Sequence, residues 1–295
     1  MHAPGTTCSQ LARLAVLGGI VLQASGCTIR VARQDVEFAL DREADTAEML
    51  LVYRGIEAGD SLDRAVDLAR DVLAGRREFG IGALSLHLDL DKEARRADHD
   101  PATRRLVESI ELVEVEAFVD PEGRLSAFQR FRLRGLAEAI AWANSKTSAA
   151  ILSNAARGKL EEHTPLLDPR TRALWLGSAR RRDPWFDLEG EGLRAEIPMT
   201  RESSSRVREV LAEEALGARP GNLEFLAQLL PYLTSLEIGE ESVRIVLSPG
   251  PDGVFRFRSH LRDEAYNPAL LEAVRREGLP IAEGRDPETI GLRKP

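Results

Sequence analysis

The stretch ELVEVEAFVDPEGRLSAFQRFRL, Glu111 to Leu133, decides how this chain is read. Two alternating runs flank Asp120-Pro121-Glu122-Gly123-Arg124. Proline presets φ for the first loop position, and glycine supplies the positive φ of a bulge after a type I turn. A three-residue loop puts Val113, Val115, Ala117 and Val119 on one face with Phe131, Gln129, Ala127 and Leu125. Glu114 then faces Arg130 on the other side, a favourable cross-strand pair. A two-residue loop would split the apolar sets between faces, so the pattern selects the register.

Working outward, Ala83 to Asp91 alternates as a strand, with Leu84, Leu86, Leu88 and Leu90 on one face and Ser85, His87, Asp89 and Asp91 on the other. One wet face favours an antiparallel or one-side-covered sheet. Met49 to Ile56 is β-prone, and Thr28 to Glu37 leads towards a first strand. Asp60 or Ser61 caps a helix carrying Leu62, Val66, Ala69 and Leu73, with Gly75 as its stop. Val243 to Leu247 and Val254 to Leu261 flank Pro251-Asp252-Gly253 and predict a second hairpin, aligning Val243, Ile245 and Leu247 with Leu261, Ser259 and Phe257. Helix-like stretches lie before the hairpins (Ala102 to Ser109, Leu223 to Leu233) and after them (Leu136 to Leu160, Asn267 to Arg276), which suggests a helix–hairpin–helix duplication. The expected fold class is α+β: antiparallel β-hairpins in one or two sheets with helices packed on one side.

The expected organisation is a leader over 1–26, an amino-terminal α+β lobe over 27–160, a linker or long surface loop over 161–192, a carboxy-terminal α+β lobe over 193–281 and a tail over 282–295. The linker reading rests on Pro165, Pro169, Pro184 and charge runs. An apolar fraction of 43% supports a packed core. The formal charge is −8, and one unit more negative without Arg13. An acidic chain is a poor nucleic-acid binder, so no nucleic-acid partner is expected.

The leader has the parts of an export signal: Arg13, the apolar run Leu14 to Leu22, then small residues at Ala24, Ser25 and Gly26 before Cys27. The apolar run is too short for a spanning helix, which needs about 20 residues. Leu22-Gln23-Ala24-Ser25-Gly26-Cys27 resembles the lipobox of a bacterial lipoprotein precursor, although Ala24 stands where leucine is usual three residues before the cysteine. The resemblance implies diacylglycerol on the Cys27 thiol, cleavage before that residue and acylation of the new amine. The alternative is an ordinary secretory signal cut at or near Ala24 to Gly26. Cys8 and Cys27 are the only cysteines. A lipidated mature chain therefore has no free thiol and no disulfide, and depends on its packed core. Thr28 rather than aspartate after the cysteine favours the outer membrane where the host has one.

Two clusters are candidate sites. His87, Asp89 and Asp91, followed by Asp98, His99 and Asp100, carry groups that bind divalent metals. Asp89-Leu90-Asp91-Lys92-Glu93 lacks the turn glycine of a calcium loop, and an alternating strand needs polar residues on its wet face in any case. Arg170, Arg172, Arg180, Arg181 and Arg182 lie near Trp175, Trp185 and Phe186, a composition that suits anions or glycans. It also suits an exposed basic loop whose aromatics pack inward. Glu114, Glu116, Arg130 and Arg132 read as a wet hairpin face. No nucleophile elbow, phosphate loop or dinucleotide fingerprint is present, and no cofactor is implied. The expected function is a membrane-anchored envelope lipoprotein, facing the periplasm or exterior, that binds an envelope partner without catalysis. A tethered metal-assisted hydrolase, or a carrier of a small molecule or glycan, is the alternative.

Overall fold

A computed structural model describes residues 28–81, 86–217, 227–262 and 265–292. The leader, Cys8, Cys27, Ala83 to Ser85 and part of the Leu223 to Leu233 stretch lie outside the described residues. The fold is α+β, with antiparallel hairpins in mixed sheets.

The strands are β1 (Ile29–Asp41), β2 (Thr46–Ala58), β3 (Glu78–Ile81), β4 (Leu86–Asp89), β5 (Ile110–Val119), β6 (Leu125–Arg134), β7 (Phe186–Glu189), β8 (Gly192–Pro198), β9 (Leu233–Ile238), β10 (Ser242–Leu247), β11 (Val254–His260) and β12 (Ile281–Glu283). The helices are α1 (Leu62–Leu73), α2 (Leu90–Ala94), α3 (Pro101–Glu108), α4 (Leu136–Ala156), α5 (Leu160–His163), α6 (Pro169–Arg181), α7 (Arg201–Gly217) and α8 (Ala269–Arg276). They form two compact units that interleave along the chain. Among the described residues, one takes those from 28 to 136, from 227 to 230 and from 249 onward; the other takes 137–217 and 231–248.

The larger unit is built on the six-stranded sheet β11-β1-β2-β6-β5-β12. Its β5–β6 hairpin has the register that the turn predicts: Val119 pairs with Leu125, Ala117 with Ala127 and Glu114 with Arg130. Gly123 takes φ +78°, and its N–H donates to the Asp120 carbonyl at 2.9 Å. The register slips by one residue between Leu112 and Glu114, leaving Val113 exposed. Both sheet faces are covered. On one, Leu50, Val52, Phe118, Phe128 and Val254 pack with Leu292 and Ile290. On the other, Phe79 of β3 meets Phe131, ring centroids 5.1 Å apart, and Ala65 and Val66 of α1 are buried. Ser61 is the cap of α1, its Oγ accepting from the Arg64 N–H, and Gly75 follows at φ +100°.

The smaller unit has the sheet β7-β8-β10-β9. Its core gathers Ile151 of α4, Leu160 of α5, Leu167, Trp175 and Ala179 of α6, Trp185, Met199 and Val243.

Several expectations are corrected. Val243 to Leu247 and Val254 to Leu261 do not form a hairpin: β10 lies between β8 and β9, while β11 pairs antiparallel with β1. With that hairpin goes the duplication. Alternation reports which face is buried, but not which strand lies alongside. Residues 161–192 are not a linker, since they fold into α5, α6 and β7 and supply four core residues, Leu167, Trp175, Ala179 and Trp185. Residues 193–281 are not a lobe of their own but are shared between the units. The tail is docked as far as residue 292, with β12 parallel to β5 and Leu292 3% exposed. The strand expected over Ala83 to Asp91 ends at Asp89, whose carboxylate caps α2 by accepting from the Lys92 N–H at 2.9 Å.

Candidate functional site

The charged sheet face of the larger unit brings together side chains from three strands and one turn. Arg33 and Asp35 come from β1, Arg54 from β2 and Arg258 from β11; register places Arg33 opposite Arg54 and Asp35 opposite Arg258. Arg54 donates to the Asp35 carboxylate. Arg258 Nε and Arg33 Nε reach Asp35 Oδ1 at 3.0 and 3.3 Å. Over this set lies Glu288, in the single turn Pro287–Thr289. Arg54 Nη1 donates to Glu288 Oε1 at 2.7 Å and Arg258 Nη2 to Oε2 at 3.0 Å, while Arg33 Nη2 approaches Oε1 at 3.5 Å. Hydrogen bonding to Arg54 holds the Glu288 carboxyl below its ordinary pKa, against a smaller opposing effect of burial.

Three guanidiniums thus enclose one carboxylate above a second. The arrangement is an anion cradle filled by the chain's own Glu288, suited to ionic recognition of carboxylate. Strand alternation places all three arginines on one face, but only the neighbour order β11-β1-β2 brings them together. The sequence reading missed the cradle for that reason.

The metal candidates are dispersed into separate pairs. His87 Nε2 is 2.7 Å from Glu78 Oε1, and this contact raises the imidazole pKa against the opposing effect of burial. Asp89 binds Arg76 Nη2 at 2.6 Å. Asp91 lies inside α2 and accepts from Arg77 Nε at 2.7 Å. Asp98 pairs with Arg96 and His99 with Glu93, while Asp100 caps α3. Among the described residues, no three His, Cys, Asp or Glu side chains are placed to hold one metal ion.

The basic-aromatic cluster also separates. Trp175 is buried, its Nε1 donating to the Pro198 carbonyl at 2.6 Å, and it meets Trp185 edge-on at 5.9 Å. Trp185 Nε1 donates to Ser148 Oγ at 3.0 Å. Both rings serve the core, whereas Arg180, Arg181 and Arg182 are exposed at the end of α6. Arg181 is tied to Asp183 at 2.7 Å.

The same unit holds a buried carboxylate. Asp168 caps α6, accepting from the Thr171 N–H at 2.8 Å. It also accepts from the hydroxyls of Ser203 at 2.5 Å, Thr171 at 3.1 Å and Thr200. Burial pushes its pKa up, but the Ser203 and Thr200 hydroxyls and both Thr171 donors together bring it well below the carboxylate range.

The larger unit also has a polar seam between β3 and the sheet. Tyr53 Oη donates to Gln129 Oε1 at 3.0 Å, and Gln129 Nε2 donates to the Glu78 carbonyl at 2.9 Å. Gln34 Nε2 donates to the Gly80 carbonyl at 2.5 Å. Burial raises the Tyr53 pKa, keeping its hydroxyl a donor. A cavity of about 530 Å³ opens by Gly75, Arg77, Glu108, Ser109, Glu111 and Arg134, and its walls are mostly polar.

Comparison with protein-family models, curated proteins and solved structures found no match. Among the described residues no helix is long and apolar enough to cross a membrane.

Proposed function

We propose that the protein is an envelope lipoprotein, anchored through lipid on Cys27, that acts as a non-enzymatic binding or assembly module. The observation that carries this reading is the run Leu14 to Leu22 followed by Ala24-Ser25-Gly26-Cys27. An apolar segment too short to span, small residues and then the cysteine are the elements that export and lipid transfer require. Each buried CH₂ of an acyl chain contributes about 0.8 kcal/mol, so two or three chains hold a domain to a bilayer where one does not.

Fatty-acid labelling tests the anchor. Wild type is expected to incorporate label and Cys27→Ala to incorporate none; equal labelling of both overturns Cys27 as the site. Crosslinking in intact cells then tests assembly. A defined partner set should be recovered with the anchored protein and lost with Cys27→Ala.

A further inference from the structure

We propose that the larger unit stands end-on to the membrane, with the end formed by Ile29, Ala58 and the first turn of α1 resting on the lipid headgroups. This rests on the anchor reading and goes beyond it, because lipidation alone does not say which part of a domain faces the bilayer. The argument begins with tether length. Ile29 already belongs to β1 and pairs with Ala58. The Gly59 N–H donates to the Thr28 carbonyl at 2.9 Å. Only Thr28 separates Cys27 from the sheet, a reach of about 7 Å when fully extended. The polar headgroup zone of one leaflet is itself about 5–8 Å deep. A flexible linker of about twenty residues would instead let a domain wander about 25 Å. Here the sheet begins where the lipid ends.

The remaining surface agrees with an end-on pose. Lying flat would need an apolar sheet face, but one face is covered by β3 and α1 and the other by the segment ending in Leu292. At the proposed contact, Leu62 is 38% exposed. Arg30 pairs with Asp60 at 3.7 Å, and the nearby Asp63 and Arg64 bring a second pair of opposite charges. These four charges cancel, so this segment adds no net electrostatic attraction for anionic lipid, and contact depends on the acyl chains. Glu43, in the turn between β1 and β2, lies at the opposite end of the sheet. The two ends are about 40 Å apart along β1, more than the thickness of a bilayer core.

The cysteine content makes the test clean. With Cys8 removed and Cys27 acylated, Leu62→Cys and Glu43→Cys each introduce a single reactive thiol. Each purified, lipid-bearing protein is labelled with a fluorophore and placed in phosphatidylethanolamine–phosphatidylglycerol vesicles with a headgroup quencher. Quenching at Leu62→Cys is expected to exceed that at Glu43→Cys by at least about threefold, given that separation. A Gly/Ser insertion of about twenty residues between Cys27 and Thr28 should abolish the difference. Vesicles added to the same labelled variants made as mature Cys27→Ala protein, without the leader and its Cys8, should quench neither label. Equal quenching at both sites in the acylated protein, or stronger quenching at Glu43→Cys, overturns the end-on pose while leaving the anchor intact. Quenching of the Cys27→Ala protein at Leu62→Cys overturns the dependence on acyl chains. Wild type that incorporates no fatty acid overturns the anchor, and the pose with it.

Discussion

Asp168 in the smaller unit and Asp35 in the larger one are both 8% exposed, yet their oxygens are satisfied by opposite means. Asp168 accepts from a backbone N–H and three neutral hydroxyls, whereas Asp35 is met by three guanidiniums. The first environment is built of short, directional dipoles supplied by two helix starts, α6 and α7. The second is a lattice of full charges reaching across three strands, with Glu288 closing it from above. Dipoles in a buried site are hardly screened by salt, while a lattice open to solvent is. Salt and acid should therefore separate the two regions.

The largest expected effect is at Asp168. Asp168→Ala removes the cap of α6 and leaves the Thr171, Thr200 and Ser203 hydroxyls without their acceptor. A loss of about 3 kcal/mol is expected, read by urea unfolding of mature Cys27→Ala protein. Trp175 and Trp185 lie in the same core, so their fluorescence reports this unit. The loss should not change with salt; a loss that shrinks in high salt would break the contrast with Asp35.

Acid sharpens the same contrast. The folded pKa of Asp168 lies below its unfolded value, so its contribution is fully present above about pH 4 and is lost as pH falls through the folded pKa. The stability gap between wild type and Asp168→Ala should hold at neutral pH and close only on strong acidification. A gap that widens as pH falls would mean that the neutral acid is the favoured form.

Arg54→Ala comes next, at about 1–2 kcal/mol. Its side chain is 13% exposed and binds both carboxylates. Arg33 and Arg258 remain to neutralise Asp35. The buried Arg54 Nε lacks a hydrogen-bond partner among the described residues, so truncation also removes a group that gained nothing from burial. Here the loss should shrink in high salt. Glu288→Gln is expected to be smallest, at about 0.5 kcal/mol or less, because its side chain is 54% exposed. A loss above that of Arg54→Ala would show that Glu288 organises the lattice instead of capping it.

What could be read from sequence was local. The β5–β6 register followed from Pro121, Gly123 and one alternation, because a short loop fixes the partner as well as the turn. The Ser61 cap and the Gly75 stop of α1 were legible for the same reason, since each acts within one helical turn. Val243 to Leu247 and Val254 to Leu261 carried equally good alternation, but β10 pairs with β8 and β9 and β11 with β1, so neither strand took the other as its neighbour. Phe118 and Phe128 have the parity of the charged face, and they are buried in a cluster that includes Ile290 and Leu292 from the docked tail. Proline and charge made 161–192 resemble a linker. Pro169 is instead the first residue of α6, where its missing N–H is harmless. The arginine cradle and the Asp168 pocket were not legible, because each is assembled from elements that meet only in the finished fold.

The pairing of β1 with β11 has a consequence at the level of the gene. Strands near the amino terminus gain their outer neighbour only from residues close to the carboxy terminus, and such long-range closure is intrinsically slow. A chain that emerges amino terminus first carries β1 with one edge open until the codons of β11 have been read. A premature stop anywhere between the codons for Ser248 and Val254 would remove more than a tail: β11 and β12, two of the six strands of the larger sheet, would never be made, leaving β1 and β5 as open edges prone to pair with other chains.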